Sequence, residues 1–282
     1  MPILFVILAT ALWGVSYLFT KLAFQEVSTA TFLFFRYTSA SLFLLPIFFL
    51  QPIALNKKLI KQGIHLSVLQ TIVIFSQTIG LETISASLSS FVAGFYIVFV
   101  LIIRFILTKK LPNAVDIITT LLCLAGLGLL THSFGNPDPL GIGYTFISAL
   151  FFAIYIYVLD KYVNKDLAFA LTFLQVVGIM LCCGVVLLWN GPPFQLPTKL
   201  GTWGGIICSG IGSSSLAYWL VAKAQSKLGA FQVSIIMMLE PVFATIFAYF
   251  GLDETLYPTS FLGIGMILTA ITVINKRLKK VS

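Results

Sequence analysis

Charge is what this sequence has least of. Its 282 residues include nine Asp and Glu and seventeen Lys and Arg, 9% of the chain, where an ordinary soluble domain carries about 25%. So few charges cannot coat a globule of this size, which excludes a soluble enzyme, a disordered chain and a secreted disulfide scaffold. Histidine is nearly absent too. His65 and His132 fall at opposite ends of the spans assigned below and cannot share a metal. Cys123, Cys182, Cys183 and Cys208 lie within apolar runs, without Cys-x-x-Cys spacing or a neighbouring histidine, and read as small packing residues. No metal and no cofactor is expected. No Gly-x-x-x-x-Gly-Lys-Ser/Thr loop occurs, so nothing here holds ATP in that way.

What the sequence has is apolar surface: 59% hydrophobic residues, 14% aromatic and a mean hydropathy of +1.04. The apolar residues fall into runs of the length a helix needs to cross about 30 Å of hydrocarbon. Ten such runs are Pro2–Phe24, Thr29–Leu50, Gly63–Leu81, Ile84–Leu107, Ala114–Thr131, Leu140–Leu159, Leu167–Trp189, Thr202–Ala222, Ala230–Leu252 and Tyr257–Ile274. In lipid each backbone amide must be paired within its own segment, so the runs are helices and the fold is an all-α membrane protein. The first run lacks the basic start and the small-residue cleavage site of a signal peptide and is expected to remain.

The net charge of +8 is explained by where it sits. Alternate connectors hold Lys57, Lys58 and Lys61; Arg104, Lys109 and Lys110; Lys161 and Lys165; Lys223 and Lys227; and Lys276, Arg277, Lys279 and Lys280. The other side holds Glu26, Glu82, Asp138, Asp253 and Glu254, with Lys199 as its clear cation. The positive-inside rule places the Lys/Arg side, and with ten spans both termini, in the cytoplasm. The basicity is topology, and nucleic acid is not an expected partner; the lipid bilayer is.

The two halves resemble each other. Ala11-Leu12 precedes Trp13-Gly14 as Ala149-Leu150 precedes Phe151-Phe152, and Ala86–Pro112 can be laid without gaps on Ala230–Leu256. Two repeats are expected, over 1–135 and 136–282. Five spans each is an odd number, so the second repeat is inverted relative to the first. Such repeats are the physical basis of alternating access, in which a midplane site opens first to one side and then to the other.

The most specific stretch is Leu239-Glu240-Pro241-Val242-Phe243-Ala244, followed after a helical span by Asp253-Glu254. With Leu12-Trp13-Gly14, Arg36, Gln77–Leu81 and Ser85-Ala86-Ser87, it resembles the drug/metabolite transporter superfamily, and within it the EamA type of ten-helix carrier. Asp253 stands where the family pattern has Gly. In the first half Tyr96-Ile97 stands opposite Glu240-Pro241. The resemblance covers essentially the whole chain and implies export of amino acids, metabolites or drugs across a bacterial inner membrane.

Glu240 is a carboxylate deep in a span, where a charge costs about 2.5–3.5 kcal/mol on insertion scales. Pro241 lacks an amide hydrogen and should free the carbonyl of Met237, loosening the helix beside the acid. Proton coupling, a substrate-amine site and a structural clamp all fit these features. Trp13, Tyr17 and Lys21 recur at helical spacing with Thr10 and form one stripe, suited to a cavity wall, with Lys21 snorkelling outward. Further faces are Ser67, Gln70, Ile74 and Gln77; Tyr144, Ser148, Phe151 and Tyr155; and Ser209, Ser213, Leu216, Trp219 and Lys223. A solute site is expected from Trp13, Tyr17, Gln77, Tyr96, Tyr155, Trp219 and Glu240. Arg36 is expected to pair with Glu26 or Glu82 in a structural or outer-gate role.

Two classes of function follow. One is a secondary transporter of a small organic solute, a monomer or weak homodimer that exchanges protons or runs on the solute's own gradient. The other is an intramembrane enzyme or lipid-handling protein. The enzyme reading needs paired carboxylates, a Ser/His or Cys/His couple or clustered metal ligands, and the sequence offers none of them at one depth.

Overall fold

The computed structural model describes residues 1–51, 53, 55–130, 137–189 and 196–281, with side chains described through residue 276. The described residues form helices and connectors, with no strand. His132, the Thr131 end of the fifth predicted run, and the side chains of Arg277, Lys279 and Lys280 lie outside the described residues.

Ten spans run in order: α1 (Pro2–Ala23), α2 (Thr29–Leu50), α3 (Lys57–Thr83), α4 (Ala86–Thr108), α5 (Ala114–Leu130), α6 (Pro139–Tyr162), α7 (Ala168–Trp189), α8 (Leu200–Gln225), α9 (Ala230–Gly251) and α10 (Pro258–Val281). Among the described residues nine helices are long and apolar enough to cross a membrane, and α5 is a shorter apolar helix. The protein is a multi-pass membrane protein. Several helices extend beyond the predicted runs and absorb charges assigned to connectors. Lys57, Lys58 and Lys61 form the first turns of α3 and Glu82 its last, while Arg104, Lys161 and Lys223 lie within α4, α6 and α8. Charged side chains at helix ends reach the interface along their own stems, so apolarity marks the lipid-embedded length and not the helix length.

Helix starts follow the local chemistry. Ser28, Asn56 and Ser85 accept from the backbone amides of Thr31, Leu59 and Leu88, and Asp138 accepts from Leu140 and Gly141. Each satisfies amides that a helix start leaves open.

The packing has the symmetry of two inverted five-helix repeats. α3 runs along α6, and their counterparts α8 and α1 run along each other. α4 packs on α6 as α9 packs on α1. α2 pairs with α7 and α5 with α10, each with its own counterpart. The corresponding α4 and α9 are both interrupted, by turns at Gly94-Phe95 and Met238-Leu239, which are matching positions in the gapless alignment. Glycines admit the closest crossings: a Cβ on Gly126 of α5 would fall 2.7 Å from the carbonyl oxygen of Gly263 on α10. Without a hydrophobic force between helices in lipid, such close contact is what holds them together.

The α1–α2, α3–α4 and α9–α10 connectors share one end of the bundle, rich in acids, and Glu26, Glu82 and Glu254 are each tied to a neighbouring element. Glu26 accepts from Thr198, Lys199 and Thr202. Glu82 accepts from the Thr29 hydroxyl. Glu254, from the end of the second repeat, accepts from the Ala86 amide at 2.9 Å and from the amide and hydroxyl of Ser87, capping α4 of the first. The four hydrogen bonds to Glu26 hold its carboxyl down at about 2, the hydroxyls of Thr198 and Thr202 first and the amides of Thr198 and Lys199 after them. Asp138 is held below the usual carboxylate range by the Thr83 hydroxyl and then by the Leu140 and Gly141 amides.

Candidate functional site

A cavity with about 780 Å³ of open space lies where the interrupted helices meet α1, α2, α3, α6 and α8. It reaches from Gln70, Phe152 and Tyr218 at mid-depth toward Thr20, Leu81 and Ser90, on the acidic end.

The turn at Met238-Leu239 is closed by i to i−3 hydrogen bonds, Met238 N to Ile235 O and Leu239 N to Ile236 O. The helix resumes with Glu240 as its first residue and Pro241 as its second. Pro241 thus begins a new helical segment, where a missing amide hydrogen costs nothing, and does not merely loosen a continuous one. It is also not the sole cause of the break, because α4 turns at the same place without a proline. There Phe95 N bonds Val92 O and Ile97 N bonds Gly94 O. The equivalent first residues after the two breaks, Tyr96 and Glu240, both line the cavity.

Glu240 Oε1 accepts from the Tyr17 hydroxyl at 3.1 Å, and that hydroxyl in turn accepts from Gln77 Nε2 at 2.7 Å. This relay joins α3, α1 and α9. Tyr96 donates to the backbone carbonyl of Ser234, in the other half of α9, at 3.0 Å. Its ring meets that of Phe152 edge-on at 5.1 Å, and the Trp13 ring lies edge-on to Phe152 and Tyr218 at 6.1 and 5.8 Å. The Trp13 indole donates to the Ser213 carbonyl at 2.9 Å, and Ser213 Oγ donates back to the Leu12 carbonyl at 2.6 Å.

These last contacts exist because α8 widens into a π-helical stretch at Ser209–Leu216. A π segment breaks the 3.6-residue register, so the stripe projected from Ser209 to Trp219 does not hold. Tyr218 faces the cavity; Trp219 lies off its wall, edge-on to Phe169 at 6.4 Å and under the Lys223 ammonium at 4.6 Å. Tyr155 also lies off the wall, stacked behind Phe152 and donating to Gln175 Oε1 at 3.0 Å. Of the expected solute-site residues, the cavity brings together Trp13, Tyr17, Gln77, Tyr96 and Glu240.

Arg36 corrects an expectation. Glu26 and Glu82 are engaged elsewhere, and Arg36 instead turns inward to the cavity, where its Nε donates to Ser214 Oγ at 2.7 Å. Lys21 lies half-buried off the cavity wall, within electrostatic reach of Glu254 and Glu82. Tyr218, Phe152, Ser16 and Ser90 line the cavity and were not among the expected residues. Phe152 neighbours the expected Phe151, an error of one position in helix phase. Toward the basic end the cavity floor is polar: Gln70 Nε2 donates to the Tyr218 hydroxyl at 2.9 Å, which shares a hydrogen bond with the Tyr37 hydroxyl.

The arrangement is a cavity at paired helix breaks between two repeats. The EamA-like transporter family matches the chain twice, over residues 1–132 and 139–276. The chain belongs to the EamA-like transporter family. An "Uncharacterized transporter" of Archaeoglobus fulgidus is 25% identical over 275 residues, covering 96% of this chain and 84% of the relative. A crystal structure shares the fold with a TM-score of 0.77 at 14% identity, covering 97% of this chain and 98% of that one. The protein is therefore a membrane transporter with the two-repeat EamA architecture.

Proposed function

We propose that this EamA-like protein is a secondary active exporter of a small organic solute, an amino acid, metabolite or amphiphile, working by alternating access in the inner membrane with both termini cytoplasmic. The observation that carries the reading is Glu240: a carboxylate at a helix break, in a wall of aromatic rings and amides, linked by Tyr17 to Gln77 across three helices. A buried acid that can reach either water phase in turn is how a carrier couples solute to protons. The titratable and charged groups facing Glu240 are Tyr17 from α1, Arg36 from α2 and Tyr96 from α4.

The orientation in this reading is supported by the Lys/Arg-rich connectors, which the positive-inside rule assigns to the cytoplasmic side. On that orientation the cavity reaches toward the outside. A second cleft, with about 910 Å³ of open space, lies at the basic end around the start of α9, lined by Arg104, Asp116, Tyr157, Asp160 and Gln232. An inward opening would pass through the Gln70–Tyr218–Tyr37 floor toward that cleft.

Flux of radiolabelled amino acids and cationic drugs is measured in proteoliposomes with and without a pH gradient, for wild type and Glu240→Gln. The reading expects a transported solute whose flux responds to the gradient in wild type and no longer does in the variant. Unchanged flux and unchanged pH response in Glu240→Gln would sink the coupling role.

A further inference from the structure

The acidic end of the cavity is shut by a joint between the two repeats. Thr20, Leu81 and Ser90, where the cavity ends on that side, are 3%, 3% and 1% exposed. Around Leu81 lies a small apolar roof, in which Ala86 of the first repeat meets Ala244 and Ala248 of the second, with Phe24 and Leu252 packed against them. Alanines bury little apolar area, so a roof of this kind parts at low cost unless something fastens it. Glu254 does so. It stands in the α9–α10 connector, and its carboxylate crosses to the first repeat, where it accepts from the Ala86 amide at 2.9 Å, the Ser87 amide at 3.2 Å and the Ser87 hydroxyl. These amides are among those that the first turn of α4 leaves open, and a carboxylate there meets the positive end of the helix. Hydrogen bonds to a charged acceptor are about twice as strong as neutral ones. The Lys21 ammonium, on α1, lies within electrostatic reach of the same carboxylate.

The basic end cannot be fastened in the same way. The gapless alignment of Ala86–Pro112 with Ala230–Leu256 puts Lys110 opposite Glu254, and Ala230 and Phe231 opposite Ala86 and Ser87. A lysine ammonium only donates, so it cannot accept from the amides at the start of α9, and Lys110 is exposed. Where the acidic end has its joint, the basic end has the second cleft, with Arg104 of α4 and Ala230 and Phe231 of α9 in its wall. We propose that Glu254 is an outer latch. Its hydrogen bonds to Ala86 and Ser87 hold the outer side of the carrier shut, and they break when the cavity opens outward. Two repeats that exchange shapes are thereby fastened on one side only, and the latch weights their equilibrium toward closure on the outside. The inference rests on the carrier reading, orientation included, and adds the residue that sets the balance between its two faces.

The test reads the two faces against each other. Ser90→Cys, in the full chain with its four native cysteines removed, reports on the cavity, and the rate of its modification by a membrane-impermeant maleimide is measured from each face of oriented vesicles. Adding Glu254→Ala is expected to raise the ratio of outer to inner rate at least about fivefold, the outer rate rising while the inner rate falls. A cap that only stabilises the fold would, when lost, loosen it and raise both rates together. Ser87→Ala, which removes the hydroxyl donor and keeps both amides, should raise the ratio less. Lys110→Glu places a carboxylate at the matching position of the first repeat, where it can fasten the inner end, and should also raise the ratio by slowing modification from inside. An unchanged ratio in Glu254→Ala, or rates that rise together, overturns the latch. Should Glu254→Ala fail to fold, Ser87→Ala and Lys110→Glu decide, and an unchanged ratio in both overturns it. Modification of the Glu254-containing protein from one face alone under every condition contradicts the carrier reading itself, and the latch falls with it; modification from both faces with a ratio indifferent to Glu254 leaves that reading standing and removes only the latch.

Discussion

Lys109 and Asp253 hold the same backbone shape: both are left-handed, at φ 56° and 55°, and they are the same position of the two repeats. Each ends its interrupted helix before the chain turns back into the next span. The correspondence is physical and not merely alphabetical, since one residue is basic and the other acidic. It also explains why the family pattern has Gly where this chain has Asp253. Glycine enters the left-handed region freely, whereas other L residues pay about 1–2 kcal/mol, with Asp among the more tolerant. Asp253→Gly is expected to leave the protein as stable or stabilise it by up to about 1 kcal/mol, and Asp253→Val to destabilise it by about 1–2 kcal/mol. Thermal unfolding in detergent checks both; a stabilising valine contradicts the assignment.

The crossing of α5 and α10 depends on two hydrogens where side chains would otherwise stand. Gly126→Leu places side-chain atoms against the Gly263 carbonyl and the side chains of Met266 and Ile267. It should cost about 1–3 kcal/mol by overpacking. Gly128, whose Cβ would meet nothing within 4 Å, is the control, and Gly128→Ala should be near neutral. A loss at Gly128 as large as that at Gly126 would show that close packing at the α5–α10 crossing does not set the cost, since helix propensity alone favours both replacements.

Much of this architecture was written in the hydropathy. Ten spans, the inverted arrangement and the gapless match of Ala86–Pro112 with Ala230–Leu256 need only apolar length, parity and spacing. The site was legible where a helix keeps its regular period: Trp13 and Tyr17 on α1, and Gln70 and Gln77 on α3, share faces that the 3.6-residue repeat predicts. It was illegible where the period fails. The π stretch of α8 moves Tyr218 into the cavity in place of Trp219, and no residue between Ser209 and Leu216 announces the change. Arg36 was misplaced for another reason. Its depth was clear, but Glu26 and Glu82 find hydroxyl and amide partners that only the folded connectors bring near.

Acid should loosen the connectors at the acidic end of the bundle. Glu26 has its carboxyl held at about 2 in the fold against an ordinary value of 4.5, by the Thr198 and Thr202 hydroxyls and then by backbone amides. A depressed carboxyl contributes stability that is fully present above the unfolded value and is lost as pH falls through the folded one. The window is therefore from about pH 4.5 down to about pH 2. Asp138, lowered in the same direction, adds to the loss. Melting temperature in detergent should fall across this window more steeply in wild type than in Glu26→Gln. Parallel curves would show that the Glu26 contacts do not bear on stability.

Trp13 tests the link between the α8 distortion and the cavity. Trp13→Phe keeps an aromatic ring between Phe152 and Tyr218 but removes the indole donor to the Ser213 carbonyl. Losing one buried hydrogen bond costs about 0.5–1.5 kcal/mol, and the expected outcome is weaker solute binding with a destabilisation in that range. Binding and stability both equal to wild type would remove Trp13 from the account.

The most direct test of the central claim is access to the cavity from both sides of the membrane. Ser90, which lines the cavity from α4, is replaced by Cys in a protein whose four native cysteines have been removed. A membrane-impermeant maleimide is then applied from one face at a time to oriented vesicles. Alternating access requires Ser90→Cys to be modified from either face, with the balance shifted when a transported solute is present on one side. Modification from a single face under every condition would contradict it.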